Sequence, residues 1–225
     1  MLSLYAFAPY TAGSADSALV ATLPLTTTRG YTSVCSGVNG STGVGLVEVY
    51  DADSAAGVAN NTAHLINLSA RANAGSGSNV LTAGFWITGT TSETVLLRGV
   101  GPGLTSQGVT GALQNPTITL YDSDSVPIAS NTGWLNAPTY QTWVSQGGAA
   151  NPTNGSGVSN LTAPWNMQVG LEAATNALMN SVYAAAIAPG DSAMIITLPP
   201  GGYTVEVSAA NGATGVALAE IYEVK

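Results

Sequence analysis

The sequence predicts an all-β fold: an antiparallel, jelly-roll-like β-sandwich with an additional N-terminal half-module and one or two short helices. Three observations carry this expectation. Apolar runs of strand length stop at glycine or proline, of which the 225-residue chain holds 27 and 11. Ser, Thr and Asn fill the polar positions, and charged residues make up only 7%. The third observation is a repeat. The stretch GYTVEVSAANGATGVALAEIY at 202–222 is echoed without a gap by GYTSVCSGVNGSTGVGLVEVY at 30–50. Upstream, DSAMIITLP at 191–199 is echoed by DSALVATLP at 16–24.

The elements follow in chain order. Residues 1–52 hold the first copy of the repeat and one preceding strand at 18–23. In each copy an alternating strand runs into Asn-Gly, whose tolerance of positive φ suits a tight turn, and a return strand follows. The pattern therefore predicts a β-hairpin, with Tyr203, Val205 and Val207 on one face of the second copy. Its return strand, 216–224, carries apolar residues on both faces, which predicts cover on both sides for part of its length. A half-module of three or four strands leaves one face uncovered, so it must pack on something else.

Residues 53–63 are small and polar and read as a linker; residues 64–225 form a complete module. Within it, strands are expected at 64–71, 80–88, 94–100, 116–121 and 126–129, separated by turn residues. Residues 130–182 form an irregular, Trp-rich insertion. Pro138 and Gly147 bracket a short helix at 138–146, and 172–179 supplies another helical turn or two. Strands resume at 191, and Pro199 and Pro200 stop the apolar run 193–198.

Composition narrows the function classes. Hydrophobic residues make up 45%, enough for a sizeable core in a chain of this length. Four basic against twelve acidic residues leave no cationic footprint for nucleic acid or anionic lipid. No apolar run has the length of a membrane-spanning helix, so no membrane insertion is expected. Residues 1–8 are apolar but lack the basic flank of a signal peptide. A surface of hydroxyls and amides with few charges suits extracellular life and weakly opposes self-association. The single cysteine, Cys35, occupies an alternating strand position, which predicts a buried, inert thiol.

Six motifs, in order, are LINLSAR (65–71), AGFWITGT (83–90), VLLRGVGP (95–102), TLYD (119–122), LPPGGYT (198–204) and GVALAEIYEV (215–224). Together they resemble a β-rich module of large secreted bacterial proteins, often found in tandem and sometimes beside adhesion or carbohydrate-active domains. The resemblance covers 64–225, weakest over 134–182, and residues 1–52 resemble the back half of a preceding module. It implies an extracellular or cell-surface, bacterial, structural or adhesive role and supplies no catalytic residues.

Chemistry-bearing residues are sparse. His64 is the only histidine; no Gly-x-Ser-x-Gly turn accompanies it, and GVGPG at 99–103 lacks the Lys-Ser/Thr of a phosphate loop. No catalytic constellation emerges and no cofactor is expected. Asp51 with Asp53, and Asp122 with Asp124, follow strand-ending tyrosines and are candidate calcium ligands, although Asp is also an ordinary turn former. Trp134, Tyr140, Trp143 and Trp165 are candidates either for stacking on sugar rings or for a subunit contact.

The expected function is that of a non-enzymatic structural protein that assembles with itself into a filament or surface fibre. Strand complementation between modules would link the subunits. The expected assembly interface is the apolar face of the half-module: Leu19, Leu23, Val44, Leu46 and Val49. The alternative is a polysaccharide-binding or adhesion module that uses the aromatic residues.

Overall fold

The computed structural model describes residues 13–24, 30–50, 65–135, 139–140, 172–173, 176–182, 184–209 and 211–224. The chain forms two compact units, 2–64 and 65–225.

Unit 65–225 is an all-β sandwich. Its strands are β1 (Asn67–Ala74), β2 (Leu81–Ile87), β3 (Glu93–Val100), β4 (Pro116–Asp122), β5 (Pro127–Thr132), β6 (Thr139–Tyr140), β7 (Glu172–Ala173), β8 (Ser192–Leu198), β9 (Gly201–Ala209) and β10 (Gly215–Glu223). Two short helices interrupt them, α1 (Pro102–Thr105) and α2 (Asn176–Ser181). One five-stranded sheet has the order β1-β10-β3-β8-β7 and the other β2-β9-β4-β5-β6. Every strand pair is antiparallel.

Burial follows the sequence pattern. On β9 the side chains of Tyr203, Val205 and Val207 turn inward and alternate with half-exposed residues. They meet Ile118 and Leu120 of their own sheet and Leu97, Met194, Ala217 and Ala219 of the facing sheet in the main core. β3 and β8 read as near-continuous apolar runs because their sheet is covered on both faces. Leu96, Ala193, Ile195 and Tyr222 form a second cluster with Met179 of α2 and Ala184, with Trp134 packed against it. The return strand β10 joins both clusters, as its two-sided apolar pattern predicts.

One expectation is corrected. β9 and β10 do not form a hairpin, because they belong to opposite sheets. Both edges of β9 are taken by β2 and β4, and both edges of β10 by β1 and β3. Asn211 and Gly212, the latter at φ 69°, therefore turn an arch between sheets. Asn-Gly fits either turn, so local sequence did not distinguish them. The helix expected from Pro138 is also corrected at its start, since Thr139 and Tyr140 pair with Ser130 and Ala129 as β6. Residues 141–171 lie outside the described residues. The expected turn at 172–179 divides into β7 and the start of α2.

Unit 2–64 differs from its expectation. Its described residues contain no strand, and their one regular element is a 3-10 turn, Val38–Gly40, with Asn39 at φ 55° and Gly40 at φ 74°. The strand at 18–23 and the hairpin at 31–50 are thus absent as hydrogen-bonded elements.

Close approach of the two sheets makes one glycine indispensable. A Cβ on Gly99 of β3 would collide with Ile118 across the core and touch Val207. Gly99→Ala is therefore expected to destabilise the sandwich by about 1–3 kcal/mol. Urea unfolding followed by tryptophan fluorescence measures it.

Candidate assembly interface

The complete module shows what its closing strands need. β8 pairs with β3 and β7, β9 with β2 and β4, and β10 with β1 and β3. None of the three closing strands pairs with another of them. Nearly all of their ladder partners lie in the front half of the module, residues 65–132 with β1–β5.

Polar groups pin the closing strands to that front half. Asp191, fully buried just before β8, accepts hydrogen bonds from the Gly101 N–H at 2.8 Å and the Gly103 N–H at 3.2 Å. Its other oxygen accepts from the Ala188 N–H. The carboxylate thus holds the glycine loop that follows β3. Ser192 donates to the Pro116 carbonyl, and the Ala193 N–H donates to Asn131 Oδ1 at 3.1 Å.

On β10, Glu220 Oε2 lies 3.3 Å from Nε of Arg98 on β3, and both side chains are buried. The Tyr222 hydroxyl donates to Glu220 Oε1 at 2.8 Å, and the Arg98 guanidinium sits 5.9 Å from the Tyr222 ring centroid. Burial raises the Tyr222 phenol well above its usual range; the Glu220 charge and hydrogen bond add to this, and Arg98 opposes it. On β9, Tyr203 stacks on Phe85 at 5.5 Å and donates to the Pro199 carbonyl at 2.9 Å.

The N-terminal copy retains these groups as Asp16, Tyr31, Glu48 and Tyr50. Two local contacts are already made in the same form. The Tyr31 hydroxyl donates to the Pro24 carbonyl at 2.6 Å, and the Tyr50 hydroxyl donates to Glu48 Oε1 at 2.9 Å. The front-half contacts are missing. Glu48 meets no cation among the described residues, and Asp16 bonds only to neighbouring Ser14.

The apolar side chains show the same contrast. Leu23 is 55% exposed where its counterpart Leu198 is fully buried, and Leu19 is 85% exposed where Met194 is fully buried. Val49 is exposed where Ile221 is buried. Val44 and Leu46 are exposed too, but their counterparts Val216 and Leu218 sit half-buried on the outer face of their sheet. Sequence reasoning missed Val20 and Val47, which match buried Ile195 and Ala219. Alignment of the two copies carried that signal. Cys35 is exposed, not buried, because the strands that cover its counterpart Val207 have no equivalent around it.

The remaining candidates are scattered. Asp122 Oδ1 accepts the N–H groups of Asp124 at 3.0 Å and Val126 at 2.9 Å, which is the work of a turn former. Burial raises the Asp122 carboxyl above its usual value, against the effect of those bonds. No group of three or more His, Cys, Asp or Glu gathers among the described residues. Trp134 packs on the second cluster. Tyr140 lies on β6, and Asp51, Asp53, His64, Trp143 and Trp165 lie outside the described residues. No helix among the described residues is long and apolar enough to cross a membrane.

Comparisons with protein-family models, curated proteins and solved structures gave no match to this chain.

The buried ion pair yields a test of how the closing strands are held. Arg98→Met strands the Glu220 charge and is expected to cost about 3–5 kcal/mol. The double variant Arg98→Met/Glu220→Met removes both charges and recovers most of that loss. Chemical denaturation of the two variants measures the difference.

Proposed function

We propose that this chain is a non-enzymatic structural protein of a bacterial surface, a subunit of an extracellular filament or fibre built by strand complementation between β-modules. Residues 13–50 act as the closing half for a front half that lies outside residues 65–225. The observation that carries this reading is the contrast between the two copies. One sequence pattern is buried and paired at 191–223, and exposed without strand pairing in its N-terminal copy.

Physical chemistry supports it in two ways. Burying one large aliphatic side chain is worth about 1.5–3 kcal/mol, and Leu19, Val20, Leu23 and Val49 all match buried positions. Unpaired strand segments with such a face are templates for another chain, and an incoming front half offers nearly all of the missing ladder partners. A head-to-tail contact of this kind need not close on itself, so a succession of such modules gives a fibre. The charge-poor, hydroxyl-rich composition and the resemblance to secreted modules support an extracellular setting. The buried polar groups Asp191, Asn131, Arg98 and Glu220 all hold strands in place, which favours a structural over a catalytic role.

Negative-stain electron microscopy of material isolated from its native source is expected to show filaments of constant width. The chain lacking residues 1–52 is expected to be absent from them, with the melting of its sandwich unchanged. Filaments that incorporate the truncated chain equally well would contradict the reading. Polysaccharide binding that survives the truncation, with no filaments, would favour the binding-module alternative.

A further inference from the structure

The face of the N-terminal copy differs from that of the C-terminal copy at a few core positions, and the differences specify its partner. In the complete module, Val205 lies in register with Ala83 and Leu120, and Val207 with Leu81 and Ile118. All four neighbours and both valines are buried in the main core. The N-terminal copy has Ser33 in place of Val205 and Cys35 in place of Val207. Seated in the front half of residues 65–132, Ser33 would bury a hydroxyl among apolar side chains, and both residues would leave voids.

The opposite error occurs on the return segment. Ala219 is fully buried, in register with Ala70 and Gly99. Gly99 is itself pressed against Ile118. Val47, which replaces Ala219, would overfill that place. The N-terminal copy is thus too small on one side of this core and too large on the other. The buried groups that hold the closing strands, by contrast, are unchanged: Asp16, Tyr31, Glu48 and Tyr50 match Asp191, Tyr203, Glu220 and Tyr222.

We propose that residues 13–50 close the front half of a different β-module of the same architecture, and not the front half of a second copy of residues 65–132. This partner carries an arginine on its β3-like strand to meet Glu48. A glycine loop after that strand binds the Asp16 carboxylate. Its side chains opposite Ser33 and Cys35 are bulkier than those here, and it leaves room for Val47. The inference rests on the strand-complementation reading, and Ser33, Cys35 and Val47 are its specificity determinants.

A face exchange in the full chain tests it. The exchanged chain carries Ser33→Val, Cys35→Val and Val47→Ala, with Val205→Ser, Val207→Ser and Ala219→Val in the second copy. The reference chain carries only Cys35→Ser. Both also carry Val34→Cys and Thr119→Cys. Val34 matches Glu206, which lies in register with Thr119 on β4, so a 34–119 disulfide reports the N-terminal copy seated in a front half. The expected result is a 34–119 disulfide in most of the exchanged chain and only background in the reference chain. Adding Glu48→Ala to the exchanged chain is expected to lower the bridged fraction by at least about tenfold, through loss of the pair with Arg98.

If the reference chain forms the disulfide as readily, the partner is a second copy of this front half. The specificity inference is then overturned, while strand complementation stands. If neither chain forms it while both keep a β-rich circular dichroism spectrum, Ser33, Cys35 and Val47 do not decide which copy this front half accepts, and the specificity inference is overturned.

Discussion

The structure depends on one topological constraint: β8, β9 and β10 are consecutive in sequence yet share no ladder with one another. Each crosses to the other sheet or inserts between strands from earlier in the chain. A backbone N–H or C=O buried without a partner is costly, so these segments become strands only when a front half surrounds them. The complete module meets that condition within residues 65–225. Among the described residues of 13–50 the same pattern has no strand pairing, and its one regular element is a 3-10 turn.

The polar groups sharpen the constraint. Asp191 and the Arg98–Glu220 pair lie at the seam between front half and closing strands, and all three are buried. Ion pairs taken out of water add little net stability, but leaving one member alone is expensive. In the proposed assembly, Asp16 and Glu48 would favour a front half with the matching glycine loop and arginine over a merely apolar surface. Local contacts that need no partner, such as Tyr31 to Pro24 and Tyr50 to Glu48, are already formed in the N-terminal copy. The N-terminal copy thus shares these side-chain contacts with the C-terminal copy without its strand pairing.

Much of the sandwich was legible in the sequence. The runs at 80–88, 94–100, 116–121 and 193–198 became β2, β3, β4 and β8 within a residue or two, because period-two alternation and Gly or Pro stops report directly on strands. The two-sided apolar pattern of β10 reported cover on both faces. Sheet membership was not legible, since Asn211-Gly212 serves an arch as well as a hairpin and pairing is set by residues a hundred positions away. Cys35 was misread for the same reason: its alternation is that of a core strand, but burial needs the neighbours that Leu81 and Ile118 supply to Val207. Among the proposed interface residues, Leu19, Leu23 and Val49 stand out by hydrophobicity alone, whereas Val47 and Ser33 gain meaning only beside Ala219 and Val205.

The proposed assembly requires that residues 13–24 and 30–50 lack strand partners in the monomer. Hydrogen–deuterium exchange of the intact chain, dilute and monomeric, tests it most directly. Amides of 31–36 and 44–50 are expected to exchange orders of magnitude faster than their counterparts in 203–208 and 216–222, although the aligned stretches share seven of thirteen residues. In native filaments both sets become protected. Equal, strong protection of both copies in the dilute monomer would contradict the account, because it would mean that the N-terminal copy already has its partner within the chain.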